Sequence, residues 1–376
     1  MTVASVALAA IALFLVVWSY VLYPALLFRL ARRARPREVA GGQTPSVEVL
    51  ISAFDEEVSI GPRVTNLLSQ DYPGDLVISV GCDGCRDQTA IRAREAGGDG
   101  VRVAEFAERR GKAAVLNELI RRSRGEILVF TDANSAFAPN AVSRLVAPFS
   151  DPAVGAVCGR LLLDPPKGAG SSPEAEFWDR ESRLKEAEGR LGVCLGANGA
   201  IYAARPELVR LLPETTALDD FLIPARVAFG GHRVVFAGDA TARESTAPGV
   251  AAEVSRRLRI GIGAGGVLRG ERWLFDFRGR PLLALAFVSR KAARWFAPVV
   301  ALGAIACALF APPLRMIAIA LTTGLALLAA SVSFRPRLSG WPGKLYYFGV
   351  INLALAAGVV AGLAGYRRPV WKRTDR

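Results

Sequence analysis

The sequence GEILVFTDAN, residues 125–134, decides the fold of this chain. Residues 127–130 are apolar and have the length of a short buried strand. The strand leads into a polar tip that carries a carboxylate, Asp132, and an amide, Asn134. Ligands of open α/β sheets bind outside the carboxyl ends of the strands, so these side chains stand where they could share a cation or a diphosphate. Because Asp-x-Asn is also ordinary turn and helix-capping chemistry, the rest of the sequence has to decide between the two interpretations.

Predicted strands and helices alternate in the sequence before this strand, which is typical of a doubly wound parallel sheet. Buried apolar runs predict the strands, and apolar residues at helical spacing predict the helices. In order, the elements are a strand at Val47–Ala53, a helix that the acids after this strand open and that runs to about residue 70, strands at residues 76–80 and 101–103, a helix from Gly111, and the strand at residues 127–130. The fold class is therefore α/β.

Oxygen-bearing side chains follow three of these strands. Asp55 comes after the first, Asp83 and Asp87 after the second, and Asp132 with Asn134 after the last. Because the carboxyl ends of parallel strands meet at one edge of a sheet, we expect these side chains to converge there.

Gly111 and Lys112 add a basic group at the start of a predicted helix. Gly111 lets the backbone approach a ligand closely, and Lys112 can pair with phosphate oxygens at the helix N-terminus. Together with the acids, they predict a site for a charged, polyhydroxylated ligand. The sequence contains neither G-x-x-x-x-G-K-[ST] nor a G-x-G-x-x-G between a strand and a helix, which disfavours a P-loop ATPase or a dinucleotide enzyme.

The two ends of the chain are too apolar for a wholly soluble protein. Residues 3–27 are almost uninterrupted apolar sequence, longer than the roughly 20 residues that a membrane span needs. Five arginines follow within residues 29–37, which places the next segment on the cytoplasmic side. Further candidate spans are residues 296–311, 316–334 and 345–365.

The region before those C-terminal spans has a mixed character. Residues 261–266 contain four glycines and predict a flexible segment, and residues 282–288 are apolar but too short to cross a bilayer. Aromatic and basic side chains lie between them, so residues 261–295 are predicted to lie in the headgroup layer. Four spans in all would leave the basic tail, residues 367–376, outside, against the positive-inside rule. Either one C-terminal segment is re-entrant or the tail is an exception.

Charge and cysteine content argue against nucleic-acid binding and against a zinc site. The formal net charge is +13, but much of the Lys and Arg lies beside apolar segments, which suits anionic headgroups better than a duplex. Five cysteines include one C-x-x-C, Cys82 and Cys85, and the chain has a single histidine. A zinc site would therefore lack two good ligands, and free thiols in a cytosolic domain are the expected state.

Six stretches resemble, in order, the motifs of family 2 glycosyltransferases with a GT-A fold. They are residues 47–57, 82–89, 111–117, 131–134, 216–221 and 256–260. The fifth contains the family's acidic pair ahead of a helix, and the sixth is similar to the Gln-x-x-Arg-Trp of the membrane-bound branch related to polysaccharide synthases. The resemblance implies a cytosolic GT-A domain, Rossmann-like as in nucleotide-diphospho-sugar transferases, with transmembrane helices at the N- and C-terminal ends.

The same resemblance implies roles for the residues on the nucleotide side. Asp55 and Asp83 would contact the base and the ribose of a nucleotide-sugar donor, and Asp87 would support their loop. Lys112 would lie near the nucleotide, and the glycine-rich residues 192–200 would lie near the acceptor and the sugar.

For the reacting groups, the resemblance implies a metal pair and a base. Asp132 and Asn134 occupy the family's D-x-D, which binds a divalent metal, Mg²⁺ or Mn²⁺, although an amide is a poorer ligand than a second carboxylate. Asp220 would be the general base that deprotonates the acceptor hydroxyl, and Asp219 would position or tune it.

Arg256, Arg257 and Arg259 would neutralise the leaving diphosphate. This motif departs from the family, since Arg and Ile stand where Gln and Trp are usual. The alternative interpretation is a solvated or lipid-facing basic face of a helix.

The implied function is a membrane-bound inverting glycosyltransferase of the hexosyltransferase type. It would move a sugar from a nucleotide-sugar donor to a glycan or lipid acceptor in envelope or exopolysaccharide synthesis. Two alternatives stay open: transfer to polyprenyl phosphate, and a catalytically silent nucleotide-binding scaffold subunit. The expected place is the inner (plasma) membrane, multi-pass, with a cytoplasmic catalytic domain, among membrane lipids and envelope-assembly partner proteins.

The predicted domain organisation follows from these segments. In order, it comprises an N-terminal transmembrane helix (1–28), a basic linker (29–45), the GT-A domain (46–260), an interfacial amphipathic segment (261–295), C-terminal transmembrane helices (296–366) and a basic tail (367–376).

Overall fold

The computed structural model describes residues 2–34, 44–164, 173–245, 250–334 and 340–367, so most of the predicted basic linker and of the basic tail lie outside the described residues. The chain divides into two compact units, a sheet unit within Leu27–Thr246 and a helical unit built from Met1–Leu26 and Ala247–Arg367. The helices are α1 (Thr2–Val17), α2 (Tyr23–Ala31), α3 (Ile60–Leu68), α4 (Thr89–Gly97), α5 (Lys112–Arg122), α6 (Ala141–Val146), α7 (Pro173–Leu191), α8 (Asp219–Phe229), α9 (Val250–Gly270), α10 (Pro281–Phe287), α11 (Ala293–Leu309), α12 (Arg315–Phe334) and α13 (Gly340–Leu363). The strands are β1 (Val47–Ala53), β2 (Leu76–Asp83), β3 (Val101–Phe106), β4 (Ile127–Thr131), β5 (Ala136–Phe137), β6 (Val154–Asp164), β7 (Tyr202–Ala204) and β8 (Arg233–Ser245).

The described part of the sheet unit contains one sheet in the order β3-β2-β1-β4-β7-β6-β8-β5. The neighbours β3, β2, β1 and β4 are parallel, as the alternating elements predicted. β7 runs antiparallel to both β4 and β6, and β5 runs antiparallel to β8, so the complete sheet is mixed. The carboxyl ends of β2, β1 and β4 lie side by side, which brings the acids at and after them to one edge.

β1 and β4 form the centre of the sheet because almost every side chain in them is buried. Val49 and Leu50 of β1 pair in register with Val129 and Phe130 of β4, and none of the four is more than 1% exposed. A continuous apolar run of this kind is typical of parallel strands that are covered by helices on both faces. Burying each such side chain contributes about 1.5–3 kcal/mol to folding.

Two boundaries differ from the predicted ones and bear on the site. The helix after β1 begins at Ile60 instead of at the acids that follow the strand, so Asp55 lies in a loop with a φ of +51°. β2 extends to Asp83, which is therefore the last residue of the strand. Asp83 is therefore positioned by the end of a strand and Asp55 by the loop that follows one, and neither acid lies in a helix.

In the described part of the chain, three helices are long and apolar enough to cross a membrane: Thr2–Ala31, Pro281–Leu309 and Tyr346–Leu363. The first corresponds to the predicted N-terminal span. The second begins with residues 282–288, so the short apolar segment continues into a longer helix, and its place in the headgroup layer stays a prediction. A π-helical turn, Val288–Ala292, joins α10 to α11 and keeps the helix continuous through its basic residues. The apolar part of α12, Arg315–Ala330, is shorter.

Residues 261–266 lie inside α9, so the prediction of a flexible segment there was wrong. Their glycines allow the backbones of α9 and α13 to touch. A Cβ atom on Gly261 would lie 2.5 Å from Leu355 O, Gly358 makes the reciprocal approach, and the arrangement recurs four residues later on both helices. Small residues at this spacing are typical of closely packed helix pairs in membranes. Packing against α13 therefore offsets the poor helix propensity of glycine.

Candidate functional site

Three charged side chains from separate elements meet at the carboxyl end of β4. Asp132 follows that strand, Lys112 opens α5, and Asp219 opens α8. Lys112 Nζ lies 2.9 Å from Asp132 Oδ1 and 3.3 Å from Asp219 Oδ2. One ammonium group thus bridges two carboxylates that are far apart in the sequence.

Burial and charge determine the protonation of this cluster. Burial acts to lower the pKa of Lys112, but the charges of Asp132 and Asp219 outweigh burial and raise the pKa above its ordinary value. Burial raises the pKa of Asp219, whose side chain is 9% exposed; Lys112 opposes that shift, and Asp220 and Asp132 add to it. Lys112 is therefore protonated at neutral pH and compensates the acids around it.

Asp132 and Asp220 border a common space beside Gly199. A Cβ atom on Gly199 would lie 3.5 Å from Asp132 Oδ2 and 3.8 Å from Asp220 Oδ2. We call this space the Gly199 gap. Asp220 stands in the first turn of α8, where the positive end of the helix dipole favours carboxylates. A group in the Gly199 gap would therefore lie within contact distance of both carboxylates.

Tyr202 lies behind the cluster and was missed in the sequence. Its hydroxyl donates a hydrogen bond to Asp219 Oδ2 at 3.4 Å, and its ring stacks on Phe130 with centroids 4.6 Å apart. Burial, followed by the charges of Asp219 and Asp220, raises the pKa of Tyr202 well above its ordinary value, so the hydroxyl remains a donor. In the sequence, an aromatic residue in a short apolar run resembles ordinary core.

Arg63 is a second buried group that sequence reasoning missed. Its Nη2 donates to Thr131 Oγ1 at 2.8 Å, and Thr131 Oγ1 donates to Ala200 O at 2.7 Å, which ties the end of β4 to the loop beside Gly199. Burial lowers the pKa of Arg63 to about 9, and the charges of Asp132 and Glu244 oppose that shift. The buried guanidinium thus supports the strand end that carries Asp132.

Asp83 uses both of its oxygens to hold the chain that leads into α5. Oδ1 accepts from Arg110 N at 2.6 Å, and Oδ2 accepts from Gly111 N at 2.9 Å. Gly111 has a φ of +96°, a conformation that favours glycine. Asp83 therefore sets the start of the helix whose first residue is Lys112.

Asp55, Cys85 and Asp87 form a second polar group at the same edge. One ligand atom from each lies within 4.8 Å of the other two, so the group could hold a cation. Asp55 Oδ1 accepts from Arg86 N at 2.8 Å. Partial burial acts to raise the pKa of Asp87, but hydrogen bonds from Thr89 and the backbone outweigh it and lower the pKa. Cys85 is a free thiol, as expected.

The remaining predicted site residues lie further out or in the other unit. Asn134 is exposed. Arg256, Arg257 and Arg259 lie on α9 of the helical unit. There, Arg257 Nε lies 2.7 Å and Arg256 Nη1 3.5 Å from the carboxylate of Glu253, one turn earlier. Their contact with a diphosphate stays a prediction.

Comparisons with known proteins agree with the motif order. The model of "Glycosyltransferase like family 2" matches residues 45–263. An N-acetylglucosaminyltransferase of Rhizobium leguminosarum bv. viciae is 27% identical over 186 residues, which are 47% of this chain and 43% of the relative. One from Rhizobium meliloti (strain 1021) is 29% identical over 187 residues, covering 45% and 42%. The chain thus spans less than half the length of these curated relatives.

Among solved structures, the chain is similar to a mannosyltransferase from Pyrobaculum calidifontis in complex with GDP-Man and Mn²⁺. The TM-score is 0.67 and the sequence identity 26%, with 95% of this chain and 99% of the other covered. The similarity therefore extends beyond the sheet unit to nearly the whole length of both chains.

Proposed function

This chain belongs to glycosyltransferase family 2, and we propose that it is a membrane-bound inverting glycosyltransferase that moves a sugar from a nucleotide-sugar donor to a glycan or lipid acceptor. The observation that carries the proposal is the Gly199 gap, which Asp132 and Asp220 both border beside the bridging Lys112. A scaffold that only binds nucleotide would not need a second carboxylate, Asp220, beside Asp132. The proposed setting is envelope or exopolysaccharide synthesis.

In the proposed reaction, Asp220 acts as the general base. Its carboxylate takes the proton of an acceptor hydroxyl in the Gly199 gap while the hydroxyl oxygen attacks the anomeric carbon of the donor sugar. The bond between that carbon and the phosphate oxygen breaks, and its electron pair leaves with the nucleoside diphosphate. One displacement inverts the anomeric carbon, so a single base suffices.

Lys112 and Asp219 prepare this step. The ammonium of Lys112 is held by two carboxylates at the start of α5, where it can also approach a phosphate oxygen of the donor. Asp219 lies beside Asp220 and is fixed by Lys112 and Tyr202, so it sets the position of its neighbour and not the proton transfer itself.

The oxygen donors of Asp132 and Asn134 suit a divalent cation such as Mg²⁺ or Mn²⁺, which would neutralise the diphosphate. Asp132 Oδ2 faces the Gly199 gap, while Oδ1 is engaged by Lys112. The Pyrobaculum calidifontis mannosyltransferase is in complex with GDP-Man and Mn²⁺, which supports a cation and a sugar nucleotide here. Asp55, Asp83 and Asp87 are the proposed contacts on the nucleotide side.

The proposed location is the plasma membrane, multi-pass, with the sheet unit in the cytoplasm. Three crossings by Thr2–Ala31, Pro281–Leu309 and Tyr346–Leu363 would put Ala31 and Leu363 on the same side. That count places the basic tail on the cytoplasmic side, whereas the four predicted crossings would leave it outside. Polyprenyl phosphate remains a second candidate acceptor because Arg290 and Lys291 lie within the span Pro281–Leu309.

The test uses the purified full chain in detergent with Mg²⁺ or Mn²⁺, a panel of nucleotide sugars and bacterial lipid extract. We expect nucleotide release with one donor, and a loss of about 100- to 10,000-fold in Asp220→Asn, because a general base contributes that much. Asp99→Asn, an exposed acid, is the matched control and should retain activity. If UDP or GDP raises the unfolding midpoint but no donor is turned over, the scaffold alternative is supported instead.

A further inference from the structure

Lys185 is a buried lysine on α7 that the reaction described above does not use. The residue is 4% exposed, and its Nζ donates to Ala197 O at 2.7 Å and to Asn198 Oδ1. Cys158 Sγ lies 3.9 Å from the same nitrogen. A buried ammonium is unfavourable unless its donors are satisfied, and two oxygen acceptors and one sulfur account for its three donors.

Both oxygen acceptors belong to the loop of residues 196–200, which contains Gly199. The amide of Asn198 uses its other end to donate to Gly159 O on β6 at 2.7 Å. The backbone of Ala197 donates to Asp220 O at 2.8 Å. The loop is therefore attached to α7, to β6 and to the first turn of α8.

An asparagine suits the centre of this arrangement better than an aspartate. Asn198 accepts from Lys185 with its oxygen and donates to Gly159 with its nitrogen. A carboxylate could accept from the lysine but could not donate to the carbonyl of Gly159. The two hydrogen bonds of the Asn198 amide therefore fix the orientation of the loop as well as attaching it to α7 and β6.

The consequence reaches the Gly199 gap in two steps. Lys185 holds Ala197 and Asn198, and the next residue is Gly199, which borders the carboxylates of Asp132 and Asp220. We propose that Lys185 is a positioning residue that holds loop 196–200 so that the Gly199 gap keeps the width an acceptor needs. The inference rests on the proposed function, because the proposed function places the acceptor hydroxyl in the Gly199 gap.

Lys185→Met tests the role because it keeps the length of the side chain and removes the donors. We expect kcat to fall roughly 10- to 100-fold, since a displacement of about 1 Å in a reacting geometry has an effect of this size. The KM for the donor and the shift of the unfolding midpoint by UDP or GDP should change less than about twofold, because the nucleotide-side acids lie elsewhere. Arg190→Met, which removes an exposed cation paired with Glu186 on the same helix, is the matched control and should change neither.

Hydrogen exchange separates positioning from general loss of structure. In Lys185→Met, the amides of residues 197 and 201 should exchange at least about tenfold faster than in Arg190→Met, while those of β1 stay protected. If Lys185→Met does not fold, Asn198→Ser removes the partner and leaves the lysine, and the same loss of kcat is expected. A kcat within about twofold of wild type, or unchanged exchange in the loop, overturns the proposal.

Failure of the proposed function would look different. Wild-type protein that binds UDP or GDP but turns over no donor contradicts the glycosyltransferase proposal itself. Hydrogen exchange in Lys185→Met still decides in that case whether Lys185 holds the loop. A parallel fall of donor affinity and kcat, with exchange increased throughout the sheet unit, indicates a merely structural lysine and overturns the positioning role.

Discussion

Gly199 in the sheet unit and Gly261 in the helical unit both lie close to other parts of the chain, but the kind of neighbour and the distance differ. Beside Gly199 the nearest atoms are carboxylate oxygens, at 3.5 and 3.8 Å from a Cβ atom. Beside Gly261 the nearest atoms are backbone atoms of α13, the closest at 2.5 Å. Gly199 therefore borders two candidate site residues, whereas Gly261 allows two helices to pack backbone against backbone.

A glycine-rich stretch in a sequence thus indicates that other atoms come close to the backbone, but it does not indicate whether they belong to functional side chains or to a packed helix. Distances of 3.5 Å are ordinary contacts that a methyl group could accept, so folding does not require glycine at position 199. A Cβ atom only 2.5 Å from a backbone oxygen would force one backbone to move, so the packing of α9 against α13 does require glycine at position 261. Substitutions should therefore separate into a loss of activity in one place and a loss of stability in the other.

The largest effect is expected for Gly261→Leu. The new side chain would push against Leu355 O and the α13 backbone near Gly358, and overpacking of this kind costs about 1–3 kcal/mol or more. Thermal unfolding in detergent should show a lower midpoint and a smaller folded fraction. Gly303→Leu on α11 is the matched control, because a Cβ atom there meets nothing within 4 Å. Equal midpoints for the two variants would contradict the close crossing.

The next effect is expected for Gly199→Ala. Its methyl group would occupy the Gly199 gap, so nucleotide release coupled to transfer should fall roughly 10- to 100-fold, as for a misplaced reacting group. The unfolding midpoint should stay near that of wild type. Gly61→Ala, where a Cβ atom would meet only Arg92 O at 3.9 Å, should alter neither quantity. Full activity in Gly199→Ala would show that the acceptor does not enter the gap.

A titration distinguishes the two places further, because the cluster beside Gly199 includes the buried acid Asp219, whereas the nearest neighbours of Gly261 are backbone atoms. Burial raises the pKa of Asp219 above the ordinary 3.8, so the folded state binds more protons than the unfolded state, and stability falls as pH rises through the folded pKa. Asp219→Asn removes this penalty. Its free energy of unfolding relative to wild type should increase from about pH 4 upward, by at most about 1.4 kcal/mol per pH unit.

Denaturant unfolding of both proteins between about pH 4 and about pH 8 measures this difference. Lys112 stays protonated throughout that range, since its pKa is raised, so it adds no slope of its own. The approach at Gly261 involves backbone atoms and does not titrate, so Gly261→Leu should show a difference from wild type that is constant with pH. If the difference in free energy of unfolding between Asp219→Asn and wild type does not change with pH, burial does not raise the pKa of Asp219.

The sequence predicts which edge of the sheet carries the candidate site, because the signals for that edge are local. Apolar runs such as Val47–Ala53 fix the strands, and parallel geometry then places the acids after them together without any knowledge of distant contacts. The antiparallel β7 was not predicted, since three residues carry too little periodicity. Reliance on local signals thus predicted the positions of Asp132 and Lys112, and the same reliance left the short strand β7 out.

The buried cations and the glycine crossing depend on distant residues and could not be found this way. Arg63 reaches Thr131, 68 positions later, and Lys185 lies on a helix whose many charges resemble a solvated face. The glycines of α9 predict a break because each costs a helix about 1 kcal/mol relative to alanine. The compensating contact with α13 comes from residues near the other end of the unit.

The smallest effect is expected for Gly266→Ala, and its sign is opposite. Gly266 lies on α9 next to Gly265, but a Cβ atom on it would meet nothing within 4 Å. Alanine therefore gains helix propensity without a clash, and the unfolding free energy should rise by up to about 1 kcal/mol. Gly265→Ala, one residue earlier, would place its Cβ atom 2.5 Å from Val359 O and should be destabilised. Stabilisation by both substitutions would mean that α9 and α13 do not touch at Gly265. The contrast with Gly199 would then reflect how exposed each glycine is, and not which atoms each glycine contacts.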